Sequence, residues 1–232
     1  MTIGELFPAD DLVTQWVFSL SAVVEDLSIT EAAFQDVLHG GAGPLWTGYH
    51  YRQVIVRLYE AERPIRTARE RADVGAFVAK IATAGEHLDY LADYYVAPEG
   101  QQSKVRAIFG GIRHRTVHHS SVGSPELAEA LAAAADENAR ILVNRTRGWL
   151  HHEWPETVAL RSLLGDLTQP GPRAVFVERV ELVQDILGRL VALTKVVVVE
   201  HVRGRGVDPA RLIVEVAAED ESDVDEHPEQ KP

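Results

Sequence analysis

Two arginines and three histidines fall within seven consecutive positions, Arg113-His114-Arg115-Thr116-Val117-His118-His119, in a chain whose formal net charge is −12. Histidine titrates near neutrality and can take or give a proton. Arginine is a permanent cation whose planar fork of donors fits phosphoryl oxygens. Cleavage of RNA needs both: a base for the ribose 2′-hydroxyl and a cation for the charge that builds on five-coordinate phosphorus. No metal is then required. Two other readings of the same residues stay open. His114 and His118, four apart, share one helical stripe and could be two ligands of a zinc or iron site completed by a distant histidine. Alternatively the stretch is a capped helix C-terminus, where Arg and His meet the negative end of the helix dipole.

The surrounding charge is compatible with one local anion site, or equally with solvated helix faces. Residues 100–125 contain no acid but hold Lys104, Arg106, Arg113 and Arg115, and residues 138–152 are acid-free with Arg140, Arg145 and Arg147. These are two basic islands on an acidic body. From Glu215 onward, by contrast, eight Asp or Glu residues face a single lysine, Lys231. That acidic tail, residues 216–232, is expected to be disordered. Such a balance does not fit a generic nucleic-acid coat, which would be basic overall. There is no cysteine, so thiolate metal sites and disulfides are excluded. No G-x-S-x-G, P-loop or G-x-G-x-x-G occurs, which leaves acyl transfer and nucleotide binding by those routes without support. Neither a signal peptide nor a membrane span is expected, and a cytoplasmic location fits.

Arg113-His114-Arg115-Thr116-Val117-His118 resembles the signature of the HEPN superfamily: an arginine, a polar residue, a few variable residues, then histidine. HEPN domains are compact and helical, and many are metal-independent ribonucleases. The resemblance covers residues 45–203 in architecture and about seven residues in motif. It implies that Arg113 and His118 are catalytic with His114 supporting them, that RNA is the substrate, and that no cofactor or metal takes part. It further implies a homodimer with a composite site at the two-fold interface. A toxin or phage-defence effector, with an antitoxin or regulatory protein as a further partner, fits that picture. Arg115, His119, Lys104 and Arg106 are the expected substrate contacts. A second copy of the spacing, Arg147-Gly148-Trp149-Leu150-His151-His152, lacks the polar second residue, and the first copy is favoured over it. A glutamate-lysine motif found upstream in some members is missing. A catalytically silent helical module for dimerisation or protein binding is the alternative reading.

The elements that must position these residues read as helices. Apolar residues recur at helical spacing over residues 10–27, after Thr30 to Leu38, and over 49–62, with Pro64 ending or kinking the third. Asp73 is expected to cap one long helix to about Tyr95, which Pro98 and Gly100 end. The motif helix is expected over 102–119, an alanine-rich helix from Ser124 to about Val143, a short helix near 156–165, and a last long one over 174–203. Val196–Val199 and Leu212–Val216 could instead pair as a hairpin, but the first continues the Val180, Val183, Leu187, Leu190 stripe, and helix is preferred. On a regular helix Arg113 and His118, five apart, point about 140° away from each other. The helix must therefore end near His118, or a second chain must complete the site. The expected whole is one all-α, HEPN-like domain over residues 1–215, followed by the acidic tail.

Overall fold

Helix α2, Leu12–His39, runs without a break through the place where two shorter helices were expected. Nothing between Leu27 and Thr30 breaks a helix. The hydroxyls of Ser28 and Thr30 bond back to the carbonyls of Val24 (2.7 Å) and Asp26 (2.6 Å), so Thr30 sits inside the helix rather than capping a new one. The computed structural model describes residues 2–40, 44–117, 131–132, 141–144, 149–152 and 167–212, and side chains over 2–40, 46–110, 131–132 and 167–210. The acidic tail beyond 216 and the helix expected near 156–165 lie outside the described residues.

The other helices are α1 (Ile3–Leu6), α3 (Pro44–Glu60), α4 (Glu62–Glu70), α5 (Ala72–Val78), α6 (Ala84–Tyr95), α7 (Lys104–Val117) and α8 (Pro170–Gly204). A 3-10 turn over Pro209–Leu212 follows α8. The body is all-α, as expected. Pro64 sits in the first turn of α4, where its missing N–H is not needed, and the chain kinks between Glu60 and Glu62 rather than stopping.

Three expectations are corrected. The single helix over 73–95 is two, α5 and α6, because the chain turns at Ala79–Thr83 to bring Ile81 into the core (9% exposed). Asp73 lies within the first turn of α5, and Arg71 is the residue that precedes that helix. The alanine-rich helix does not reach Val143: Ile141–Asn144 is a strand, β1, paired antiparallel with β2, Trp149–His152, with Leu142 opposite His151. Three apolar residues, two of them β-branched, followed by Asn favour extended backbone over the helix that the alanines would propagate. Val196–Val199 stays helical within α8, as preferred.

α2 packs most extensively against α3 and then α8, α8 also lies along α6, and α7 lies across α3 and α6. Buried residues of α2 to α8 form one hydrophobic cluster. The Trp16 indole N–H donates to the carbonyl of Pro64 (2.8 Å), and the Tyr95 hydroxyl to that of Leu58 (3.0 Å), so both polar tips are satisfied inside it. Among the described residues, α2 alone is long and apolar enough to cross a membrane. The stripe carrying Val17, Leu20 and Leu27, each fully buried, is the centre of the cluster.

Candidate functional site

Ser103 starts α7. Its hydroxyl accepts from the backbone N–H of Arg106 (3.3 Å), and its carbonyl from that of Ala107 (2.9 Å), which is the geometry of an N-cap. Val105 and Phe109 are fully buried and anchor the helix against the body. At Gly110 a Cβ would lie 3.7 Å from the Tyr59 hydroxyl, an ordinary contact distance that shows how closely α7 follows α3.

The described cations of α7 are engaged. Lys104 pairs with Asp93 (2.5 Å) and lies 5.5 Å from the centre of the Tyr94 ring. Arg106 pairs through Nε with Glu62 (2.8 Å), which also meets Arg66 (3.7 Å). The Glu62 side chain is only 13% exposed, so it links two guanidinium groups at the rim of a cleft. That cleft, of about 660 Å³, lies between α2, α4 and α7 and is lined by Tyr59, Arg63, Arg66, Thr67 and Arg106 among others. Arg63 has no ion-pair partner among the described residues.

Arg113, His114 and Arg115 lie on the helical backbone of α7, their side chains outside the described residues. His118 and His119 lie outside the described residues altogether. At 100° per residue, position 113 falls within about 20° of position 106, on the same face of α7. The second copy of the spacing does not lie on a helix: Trp149, His151 and His152 belong to β2, and Arg147 is outside the described residues. Among the described residues no three of His, Asp or Glu are grouped so as to hold a metal. His114 and His118, on which the metal reading depends, are not in that set.

Tyr90 and Tyr94 form a tilted pair whose ring centres are 5.2 Å apart. Arg189 of α8 covers Tyr90 (4.9 Å), and the Tyr90 hydroxyl donates to Asp185. Burial, and then the Asp185 hydrogen bond, push that phenol well above its ordinary pKa. These contacts tie α6 to α7 and α8. Tyr95 is core.

Two features went unread in the sequence. One is the Glu62–Arg66–Arg106 linkage, whose Arg106 lies 44 residues from Glu62 and so gave no signal in the spacing. The other is His201, buried at the end of α8. Its Nε2 donates to the carbonyl of Leu6 (3.0 Å) and its ring stacks on Phe7 (5.2 Å), docking the N-terminal segment. No family model matches the chain, and no curated protein or solved structure matches it either.

Proposed function

We propose that the chain is a metal-independent endoribonuclease of the HEPN type, reacting at the C-terminal end of α7. The carrying observation is that α7 stays helical through Val117, so five of the six motif residues occupy its last turns and His118 comes next in sequence. In this reading His118 takes the proton from a ribose 2′-hydroxyl, and that oxygen attacks the adjacent phosphorus. Arg113 stabilises the added negative charge, and His114 supports the pair. The P–O2′ bond forms as the P–O5′ bond breaks and the departing 5′-oxygen takes a proton from water, leaving a 2′,3′-cyclic phosphate and a 5′-hydroxyl. Arg115 and His119 hold neighbouring phosphates. Position 106, on the face that carries 113, leads from the motif toward the cleft beside α4.

A catalytically silent helical module is the second reading, and one observation favours it: Lys104 and Arg106 already have carboxylate partners. Purified protein incubated with total RNA separates the two. Cleavage is expected with EDTA present, and Arg113→Ala and His118→Ala are each expected to lower it at least about a hundredfold while the circular dichroism stays unchanged. Arg147→Ala combined with His152→Ala is expected to retain it. Loss of cleavage on chelation would overturn the metal-free mechanism, and activity lost only in the Arg147/His152 double variant would move the site to the hairpin.

A further inference from the structure

Two acid-free stretches of the sequence lie against each other in the fold. Residues 37–59 contain no Asp or Glu, and neither do residues 100–125, in a chain of net charge −12. The first supplies all of α3 but its last residue, and the second supplies the whole of α7. Arg106 of α7 meets Glu62 just beyond α3, and Gly110 approaches the Tyr59 hydroxyl, so the two helices run in opposite directions where they touch. Followed at 1.5 Å per residue, the end of α7 at Val117 comes about level with Arg52, which shares the stripe of Tyr59 on α3.

Just before Arg52 on α3 stands a pair of exposed rings. The core-facing residues of this helix are Tyr51, Val54, Ile55 and Leu58, each at most 1% exposed. At 100° per residue Trp46 and Tyr49 point about 140° and about 160° away from Tyr51. They are 42% and 43% exposed. Three residues apart, they are neighbours on the helix surface. The His50 ring braces both, edge-on to Tyr49 (ring centres 5.2 Å apart) and tilted against Trp46 (6.4 Å). The hydrophobic cluster takes Tyr51 and Tyr59 from α3 and leaves Trp46 and Tyr49 out. Aromatic side chains left at the surface forgo the burial that stabilises them elsewhere, and what they offer there is a flat face to another ring.

We propose that Trp46 and Tyr49 form a stacking platform for the unpaired bases of a single strand whose phosphates follow the acid-free seam between α3 and α7. The inference rests on the ribonuclease reading for the ligand being RNA, and it deepens that reading by making the substrate single-stranded. In a duplex the base faces are already stacked on one another and closed to side chains, whereas unpaired bases can splay out onto aromatic rings. Neither α7 nor α3 before Glu60 carries a carboxylate that would repel the backbone. The platform stands toward the end of α7 that holds the motif, so base stacking and the reacting phosphate belong to one stretch of strand. Every base has a π-face, so such a platform directs cleavage to unpaired regions rather than to one sequence.

The probe is a labelled single strand of 2′-O-methyl RNA, which has no 2′-hydroxyl to attack, with binding to the full chain read by fluorescence anisotropy at low salt. The wild-type chain is expected to bind it, and Trp46→Ala and Tyr49→Ala should each weaken binding by about tenfold. Trp46→Phe, which keeps a flat ring, should lose much less. The same strand annealed to its complement should be insensitive to either alanine. Circular dichroism of the variants should match the wild type, because both rings stand outside the core. A wild-type chain that does not bind the single strand overturns the proposal, and so does binding that is indifferent to both alanine substitutions. The platform and the ribonuclease reading fail separately. If RNA is cleaved with KM unchanged in both variants, the platform falls and the ribonuclease stands. If the strand is held through Trp46 and Tyr49 but no RNA is cleaved, the platform stands and the ribonuclease falls.

Discussion

Asp11 shows how one side chain can fix two ends of the chain together. It precedes α2 and accepts from the backbone N–H groups of Val13 (2.9 Å) and Thr14 (3.3 Å), while its other oxygen pairs with Arg205 beyond α8. Slight burial pushes its carboxyl up, but the hydrogen bonds from Thr14 and Val13 and the Arg205 charge outweigh it and hold the group below 3.8. A lowered folded-state pKa contributes stability in full above the ordinary value and loses it as pH falls through the lowered one. Asp11→Ala is therefore expected to cost about 1 kcal/mol at neutral pH, mostly the lost cap. The gap from wild type should narrow in urea titrations as pH falls through the lowered carboxyl value, where the wild-type carboxyl is protonated too. A gap that widened toward acid would show that Arg205 and the cap contribute nothing. At the same scale, the Arg113/His118 spacing is a local pattern that the sequence displays by itself, whatever its role. The partners of Lys104 and Arg106 were not legible, since Asp93 and Glu62 arrive from other helices.

Elements were legible wherever an apolar stripe ran to a recognisable stop. α7 starts within two residues of its expected start and α8 ends within one of its expected end, but α8 starts four residues early, at Pro170, which suits the first turn of a helix. The turn at Ala79–Thr83 carries neither Gly nor Pro, and only the docking of Ile81 explains it. The hairpin was masked by the alanines before it, although Ile141-Leu142-Val143 and Trp149-Leu150, separated by a glycine-containing link, already had strand composition. How tightly α7 is seated on α3 can be tested at Gly110. Its would-be Cβ makes only an ordinary 3.7 Å contact with Tyr59, so Gly110→Ala should be accommodated and should raise stability by up to about 1 kcal/mol through helix propensity. Gly110→Leu, whose branches reach past that contact, should destabilise by about 1–3 kcal/mol as α7 is pushed outward. Thermal melts of the two variants decide it. Equal destabilisation by both would mean that the helices approach more closely than the Tyr59 contact indicates.

At the scale of the whole molecule, charge is the lever that the sequence exposes most plainly. Residues 217–232 carry seven acids and one lysine, and so account for half of the net −12. On the proposed function, that segment carries the same sign of charge as the RNA substrate, and repulsion between like charges lowers encounter rates when ionic strength is low. Deleting 217–232 is therefore expected to raise kcat/KM for RNA several-fold at about 0.05 M salt, where the screening length is longer than 10 Å. The advantage should vanish near 0.5 M, where charges more than a few ångströms apart no longer feel each other. The melting temperature should stay within about 2 °C, because every residue of the hydrophobic cluster lies before position 200. If deletion lowers kcat/KM instead, the acidic segment contributes to catalysis or to holding RNA. If the difference survives at high salt, the segment acts by occupying a surface through contacts that are not chiefly electrostatic.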